Sequence, residues 1–430
     1  MKCAACAVLL AATVFIGRAL AQNAAPPPAS AGTPTSPQQP LATGVVRGNA
    51  ASPQPLPDLA SNYAFPAQRG FVRAEPVFIY PSLGMGIGYD DNVFATPNNT
   101  TGSGFFMLFP RVRAEVKHHG DVYAFTYNGR WGHYFDASEA DVNDHEFVAT
   151  SSNQFTARAD LNATAYYLIK QDDPGSVDRS VSGTPDRWHA VGAFATFGYG
   201  AREAPGRFEF DGGATDKRYV NNRDVTAAFD VTSWNVAGRF FYRLAPKTHL
   251  LAELRYNDYD YHSSPLDSDE QRYLVGATWD ATAATSGALK VGYLTKQFKA
   301  SGFEDYSGVT AEASVRWKPR TYSTLDILAV YAPSDSTGTG QYTVDKTVGA
   351  TWEHFWKTYF STRVGAWYTK SDFVGVSRTD NDSRIGIGGF FDIRTWLRLG
   401  LEYSYENRNS TDPTAEYSRN VVMLTIGGTL

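Results

Sequence analysis

From about Pro76 to Leu430 the chain returns again and again to one pattern. Segments of roughly 9–12 residues alternate apolar and polar side chains, and a turn signal closes each one. Leu397, Leu399, Leu401, Tyr403 and Tyr405 fall on one face, against Arg398, Gly400, Glu402 and Ser404 on the other. Val309, Ala311, Ala313, Val315 and Trp317 oppose Thr310, Glu312, Ser314, Arg316 and Lys318 in the same way. Leu250, Ala252, Leu254 and Tyr256 repeat it against Glu253, Arg255 and Asn257. Only an extended strand sends successive side chains to opposite faces, so the fold class is all-β.

Alternation suits a soluble sandwich as well as a membrane barrel, and three features decide between them. The apolar faces end repeatedly in Tyr, Trp or Phe, as girdles at two bilayer interfaces require; aromatics make up 14% of the chain. The opposing faces carry charges of both signs in mid-strand, which a wet lumen tolerates better than a dry core. Connections also alternate in length. Short links are predicted at His119-Gly120-Asp121, Asp160-Leu161-Asn162, Glu203-Ala204-Pro205-Gly206, Ala245-Pro246-Lys247 and Lys318-Pro319-Arg320. Long polar ones are predicted at Asn92 to Gly104, Gln171 to Asp186, Asn221 to Asp230, Ser334 to Gly340 and Asn407 to Glu416. Bacterial outer-membrane barrels carry short periplasmic turns and longer external loops in this order, at about 20 residues per strand and connection. The prediction is a transmembrane antiparallel β-barrel of about 18 strands over residues 76–430. No internal stretch reaches the ~20 apolar residues of a spanning helix, which excludes a polytopic helical protein. The last strand alternates to the final residue; Leu430 stands where many such barrels end in an aromatic.

The N-terminus reads as export machinery. Met1-Lys2, an apolar run from Ala4 to Ile16, and Ala19-Leu20-Ala21 before Gln22 fit a signal peptide over residues 1–21. Both cysteines, Cys3 and Cys6, lie inside it, and its removal takes away Lys2 and Arg18, shifting the formal charge from -5 to -5 - 2 = -7. Residues 22–75 are rich in Pro, Ala, Ser and Thr and bury too little apolar surface to fold. They are expected to be a disordered periplasmic linker, either a plain spacer or a docking tail for a periplasmic partner.

The stretch Tyr80-Pro81-Ser82-Leu83-Gly84-Met85-Gly86-Ile87-Gly88-Tyr89-Asp90-Asp91-Asn92-Val93-Phe94 resembles the opening strand and first external loop of the second type of outer-membrane beta-barrel porin. Pro81, Ser82, Leu83, Gly88, Tyr89, Asp90, Asp91 and Asn92 carry the resemblance, and beyond them the likeness is one of pattern to the C-terminus. The resemblance implies an outer-membrane barrel of a Gram-negative bacterium, with no catalytic residues to carry over. Some relatives are associated with exopolysaccharide or capsule export alongside a periplasmic polysaccharide-export protein. From the residues themselves, Gly84, Gly86 and Gly88 either leave inward room for neighbouring side chains or a wide lumen, or ease strand curvature. Asp90, Asp91 and Asn92 either start a turn or hold a cation.

Motifs of catalysis are missing: no H-E-x-x-H, G-x-S-x-G or P-loop is found, and the eight histidines are scattered. No enzyme activity, cofactor or metal is expected, and the acidic charge balance argues against nucleic acid. Asp136, Glu139, Asp141 and Asp144 are expected to form a solvated, divalent-bridged outer surface near lipopolysaccharide. Expected partners are outer-membrane lipid, lipopolysaccharide and the barrel-assembly machinery, with a polysaccharide-export protein in the periplasm.

The lumen-facing charges are the candidate functional residues. The alternation projects Arg111, Arg113, Lys117, Arg130, Arg255, Arg272, Arg316, Arg363 and Arg398 inward, with Glu115, Glu253, Glu312 and Glu402 nearby. They either bridge between strands and brace the wall, or form a charged eyelet that selects anionic solutes or acidic polysaccharide. The expected function is a channel that exports exopolysaccharide; a general or substrate-specific diffusion porin, and a surface barrel with a filled lumen, are the alternatives.

Overall fold

The computed structural model describes residues 72–74, 76–178, 183–201, 203–282 and 284–429; the signal peptide and nearly all of the Pro-rich segment lie outside them. A three-residue strand, β1 (Val72–Ala74), precedes eighteen long antiparallel strands, β2 (Val77–Asp90) through β19 (Tyr417–Thr429). Each of the eighteen is 13–16 residues long, ample for the ~9–11 that a tilted strand needs to cross hydrocarbon. Every strand pairs with its sequence neighbour, and β19 pairs with β2, so the sheet closes into a barrel.

Seven of the eight links at one end are two residues long, and the eighth, residues 200–205, has six; at the other end they run from four residues to the fifteen of 172–186. At the link after β3, His119 and Gly120 both take positive φ (48° and 95°), the conformation of a two-residue hairpin turn matched to strand twist. Two predicted links are displaced. Asp160, Leu161 and Asn162 lie in β6 (Ala159–Gln171), with the turn earlier at 157–158, because Asp160 is needed inside for an ion pair with Arg207. Lys318, Pro319 and Arg320 end β13 (Tyr306–Arg320), and the turn follows at Thr321-Tyr322. The last long link is shorter than expected, since β18 (Leu397–Ser410) carries its ladder three residues past Asn407.

The register aligns the outward residues of successive strands into continuous rows. Leu83, Met85, Ile87 and Tyr89 of β2 face out beside Leu424 and Val422 of β19, all of them exposed. Gly84, Gly86 and Gly88 face in, and their missing side chains make room for neighbours: a Cβ on Gly88 would strike the Val422 carbonyl and the Phe105 ring, and one on Gly86 the Met423 sulfur.

The opening motif closes the barrel. Asp90 is fully buried and accepts hydrogen bonds from Arg419 Nε (3.0 Å) and Nη2 (2.6 Å) of β19. Asp91 accepts from the Asn420 backbone and side-chain amides, both at 2.6 Å. Asn92 donates to the Ser418 carbonyl (2.9 Å), while its own N–H donates to Asp90 (3.0 Å), so the turn and the seam share the same residues. Val93 and Phe94 then tuck over an apolar cluster of Phe105, Met107, Phe109, Tyr134, Val142 and Met423. The inner face is therefore not charged and wet throughout. Near the seam, loop residues Val93, Ala137 and Ala140 fold onto the inward side chains and exclude water from them.

Removing one partner of a buried ion pair strands the other, so Asp90→Leu should cost about 3–5 kcal/mol, and Asp90→Leu with Arg419→Leu clearly less. The check is unfolding of vesicle-inserted protein in urea, read by the heat-modifiable gel shift of the folded barrel. Gly88→Val should leave the closed form unpopulated.

Candidate functional site: the charged lumen and its strap

All thirteen sequence-predicted lumen residues face inward, because the pairing register carries one parity of each strand to the interior. Their surroundings divide the wall in two. Along β8 (Gly206–Tyr219) to β13 the charges form one continuous chain. Arg207 meets Asp160 (2.8 Å) and Glu209 (3.2 Å), and Arg239 joins Glu209 (3.1 Å) and Asp211 to Glu253 (3.6 Å). Arg255 links Glu253 (2.6 Å) to Glu312 (2.9 Å); Arg272 links Glu312 (3.2 Å) to Glu270 (2.7 Å). Lys290 reaches both Glu253 (2.8 Å) and Glu312 (3.6 Å). Arg239, Glu253, Glu270, Arg272 and Glu312 are all buried, and charges out of water persist only when paired this closely. On this wall the residues brace neighbouring strands.

The other wall is built from β15 (Tyr342–Lys357) to β19 and β2 to β4 (Asp121–Tyr134), and it is richer in arginine. Arg363 pairs with Glu353 (2.8 Å), Arg398 with Asp392 (2.6 Å) and Arg384 with Glu406 (2.6 Å). Arg113 and Lys117 share Glu115 (2.8 and 3.0 Å); between the two walls, Arg316 of β13 pairs with Asp326 on the next strand (2.6 Å). Arg111 differs from these: its buried Nε has no hydrogen-bond acceptor among the described residues. Glu402 lies inward beside Phe390 and Arg363.

Residues 172–178, which open the link between β6 and β7 (Arg187–Tyr199), fold inward as a strap. Asp173 pairs with Arg130 of β4 (2.9 Å). Arg408 of β18 donates to the carbonyls of Gly175 (2.7 Å) and Val177 (3.2 Å), and a Cβ on Gly175 would run into the Tyr417 hydroxyl. The Asp178 carboxylate accepts from Ser336 Oγ (2.9 Å), Thr337 N (2.8 Å) and Thr337 Oγ1 (2.8 Å) in the link between β14 (Ser323–Asp335) and β15. Arg378, between β16 (Phe360–Val374) and β17 (Thr379–Arg394), donates to the Asp178 carbonyl (2.5 Å). In strand order the β14–β15 link lies almost opposite β6, so the strap spans the lumen. Beside it is a cavity of about 160 Å³ lined by Arg130, Arg363, Arg384, Arg419, Asp173, Glu402, Glu406, Tyr134 and Phe390 among others, room for about five waters.

The expected acidic outer surface does not form as a unit. Asp144 is buried inside, where it pairs with Arg130 (2.7 Å), because its even position on β5 (Val142–Thr156) faces the lumen. Asp141 pairs with His133 (2.8 Å), and no group of three or more His, Cys, Asp or Glu placed to hold a metal occurs among the described residues. Arg239, Lys290, Arg384, Arg408 and Arg419 obey the same alternation and could have been read from it. The strap could not, since Arg408 and Gly175 are 233 residues apart and no periodicity connects them.

A closed barrel with lipid-facing rows, a charged interior and an inward strap defines a porin-like outer-membrane channel. The chain belongs to the family described as "Putative beta-barrel porin 2", whose model matches residues 73–428. No curated protein matches its sequence. Among solved structures it is similar to OccK2 (OpdF) of Pseudomonas aeruginosa, with 9% identity, a TM-score of 0.47, and 84% of this chain and 99% of that one covered. OccAB3 of Acinetobacter baumannii gives 10% identity and a TM-score of 0.46 over 82% and 99%. The FrpB iron transporter of Neisseria meningitidis gives 9% and 0.42 over 81% of each chain.

Burial pushes the Asp173 carboxyl up, but Arg130 outweighs it and holds the group below its ordinary value. An acid held low keeps its contact above the ordinary carboxylate range and loses it as pH falls through the depressed value. Strap anchoring should therefore be constant from neutral pH down to about 4 and weaken below it. Single-channel current against pH checks this, and Asp173→Asn should behave at pH 7 as the native protein does in acid. Glu312→Gln, which removes the shared partner of Arg255, Arg272 and Lys290, should lower the unfolding midpoint more than Glu353→Gln, whose carboxylate is partly exposed.

Proposed function

We propose that this barrel is a selective diffusion channel for small hydrophilic solutes bearing a carboxylate or phosphate. The strap carries the reading: it is pinned at both ends to the lumen wall and leaves beside it a narrow, guanidinium-rich space. In such a space guanidinium groups favour anions through paired, directional hydrogen bonds. The nearby carboxylates keep the binding weak enough for release, which conduction demands.

Export of an exopolysaccharide is the second reading. It draws on the family resemblance and on inward aromatic rings set beside arginines, with Arg363 5.7 Å and Arg398 5.9 Å from the Phe390 ring and Arg408 5.4 Å from that of Tyr417. Sugar faces stack on such surfaces. In this reading the strap has to swing aside, and the Pro-rich segment docks a periplasmic export protein.

Planar-bilayer recordings test the proposal. The native channel should pass small, discrete currents with anions favoured, and Asp178→Ala with Arg408→Ala should raise conductance several-fold by freeing the strap. Equal anion and cation permeability in the native channel would overturn the anion reading. Loss of surface polysaccharide on gene deletion, with small-solute growth intact, would favour export instead.

A further inference from the structure

The outer wall carries a feature that the lumen does not explain. Over β10 (Thr248–Tyr261) to β14 the lipid-facing surface sinks into a cavity of about 850 Å³, lined on its outward side by Leu289, Val291, Ala311, Ala313, Ala329 and Tyr331. Outward alanines floor it, with Ala313 on β13 directly opposite Ala329 on β14; outward alanines also meet elsewhere on the wall, as at Ala165 and Ala193.

The pairing register joins this depression to a cationic pair. One row runs Ala252, Val275, Val291, Ala311, Tyr331, Lys346 and Lys370, from β10 to β16. The row climbs toward the long-loop end: Ala252 lies nine residues from that end of β10, whereas Tyr331, Lys346 and Lys370 lie four from theirs. Lys346 and Lys370 sit directly opposite each other and share one carboxylate, Asp372, at 3.2 and 3.1 Å. The trio is thus net positive, with its side chains about one-third to one-half exposed. Lys346 also lies 5.7 Å from the Tyr331 ring at the upper edge of the depression.

Tyrosine hydroxyls fix the level of this row. Tyr368 donates to Asn381 (2.7 Å), which is paired with Lys370, and Tyr403 likewise donates to Asn420 (2.7 Å). Amphipathic rings place their polar tips at the headgroups, so Lys346 and Lys370 stand there too. Bacterial barrels keep their longer loops outside, so these headgroups belong to the outer leaflet.

The geometry points to a binding site for one lipopolysaccharide molecule on the outer wall, acyl chains in the alanine-floored depression and a glucosamine phosphate on Lys346 and Lys370. Two lysines sharing a single carboxylate at headgroup level keep one net positive charge for a phosphate to meet, which a protein partner would not need there. The site is independent of what the lumen carries.

The test uses full-length protein purified in detergent, with binding of rough lipopolysaccharide measured by native mass spectrometry. The probe panel adds its dephosphorylated form and phosphatidylglycerol. Lys346→Gln with Lys370→Gln should weaken binding of the phosphorylated glycolipid about tenfold or more, and dephosphorylation should do the same to the native protein. Ala311→Leu with Ala329→Leu, which fills the depression while keeping both lysines, should also weaken it. Lys299→Gln, outside the row, should change nothing. The heat-modifiable gel shift confirms that each variant is folded. Glycolipid binding that both double variants leave unchanged would overturn the proposal. So would phosphatidylglycerol binding equally well with the same losses, or a native oligomer that Ala311→Leu with Ala329→Leu dissolves.

Discussion

Everything in this barrel depends on the meeting of β2 and β19. Hydrocarbon offers no partner to a free N–H or C=O, so a sheet in a membrane must have no edge. Eighteen strands satisfy this only if the first finds the last, and the residues that lock them are 329 positions apart. Local sequence cannot pull them together; the Asp90–Arg419 pair and the Asp91–Asn420 bonds do so in a buried setting where a mismatch would be costly. The short β1 pairs with the lower part of β2, whose upper part pairs with β19, so the edge stays covered.

Once closed, the barrel separates two electrostatic problems. Outside, charge is confined to the rim, where Lys346, Lys370 and Asp372 sit at headgroup level. Inside, charge is abundant and is managed in two ways. From β6 to β13 carboxylates and guanidinium groups neutralise one another in a continuous chain, which stiffens the wall. On the opposite side arginines also hold carbonyls of the strap, so the same residue type serves bracing on one wall and constriction on the other.

Much of this was legible beforehand. The parity of each strand gave the inward placement of Arg111, Glu253, Glu312 and the other candidates, because the side-chain period of a strand is two and pairing preserves it. Turn positions were less secure. Asp160-Leu161-Asn162 carries turn-forming residues, yet Asp160 is held in the ladder by Arg207 from two strands away. Asp144 follows the loop acids in sequence, yet its parity on β5 sends it inward to Arg130. The Asp-Asp-Asn motif suggested a turn, which it makes, but its bonds to the last strand carried no local signal.

The sequence by itself determined the fold class, the approximate strand number, the lipid-facing and lumen-facing residues and the unequal ends, since all of these follow from two-residue periodicity and local turn chemistry. Tertiary structure decided what closed the sheet, which charges neutralised each other, and where the strap between β6 and β7 came to rest. Those are contacts between segments tens to hundreds of residues apart. They exist only once closure has brought opposite walls within a side chain's reach of a common loop.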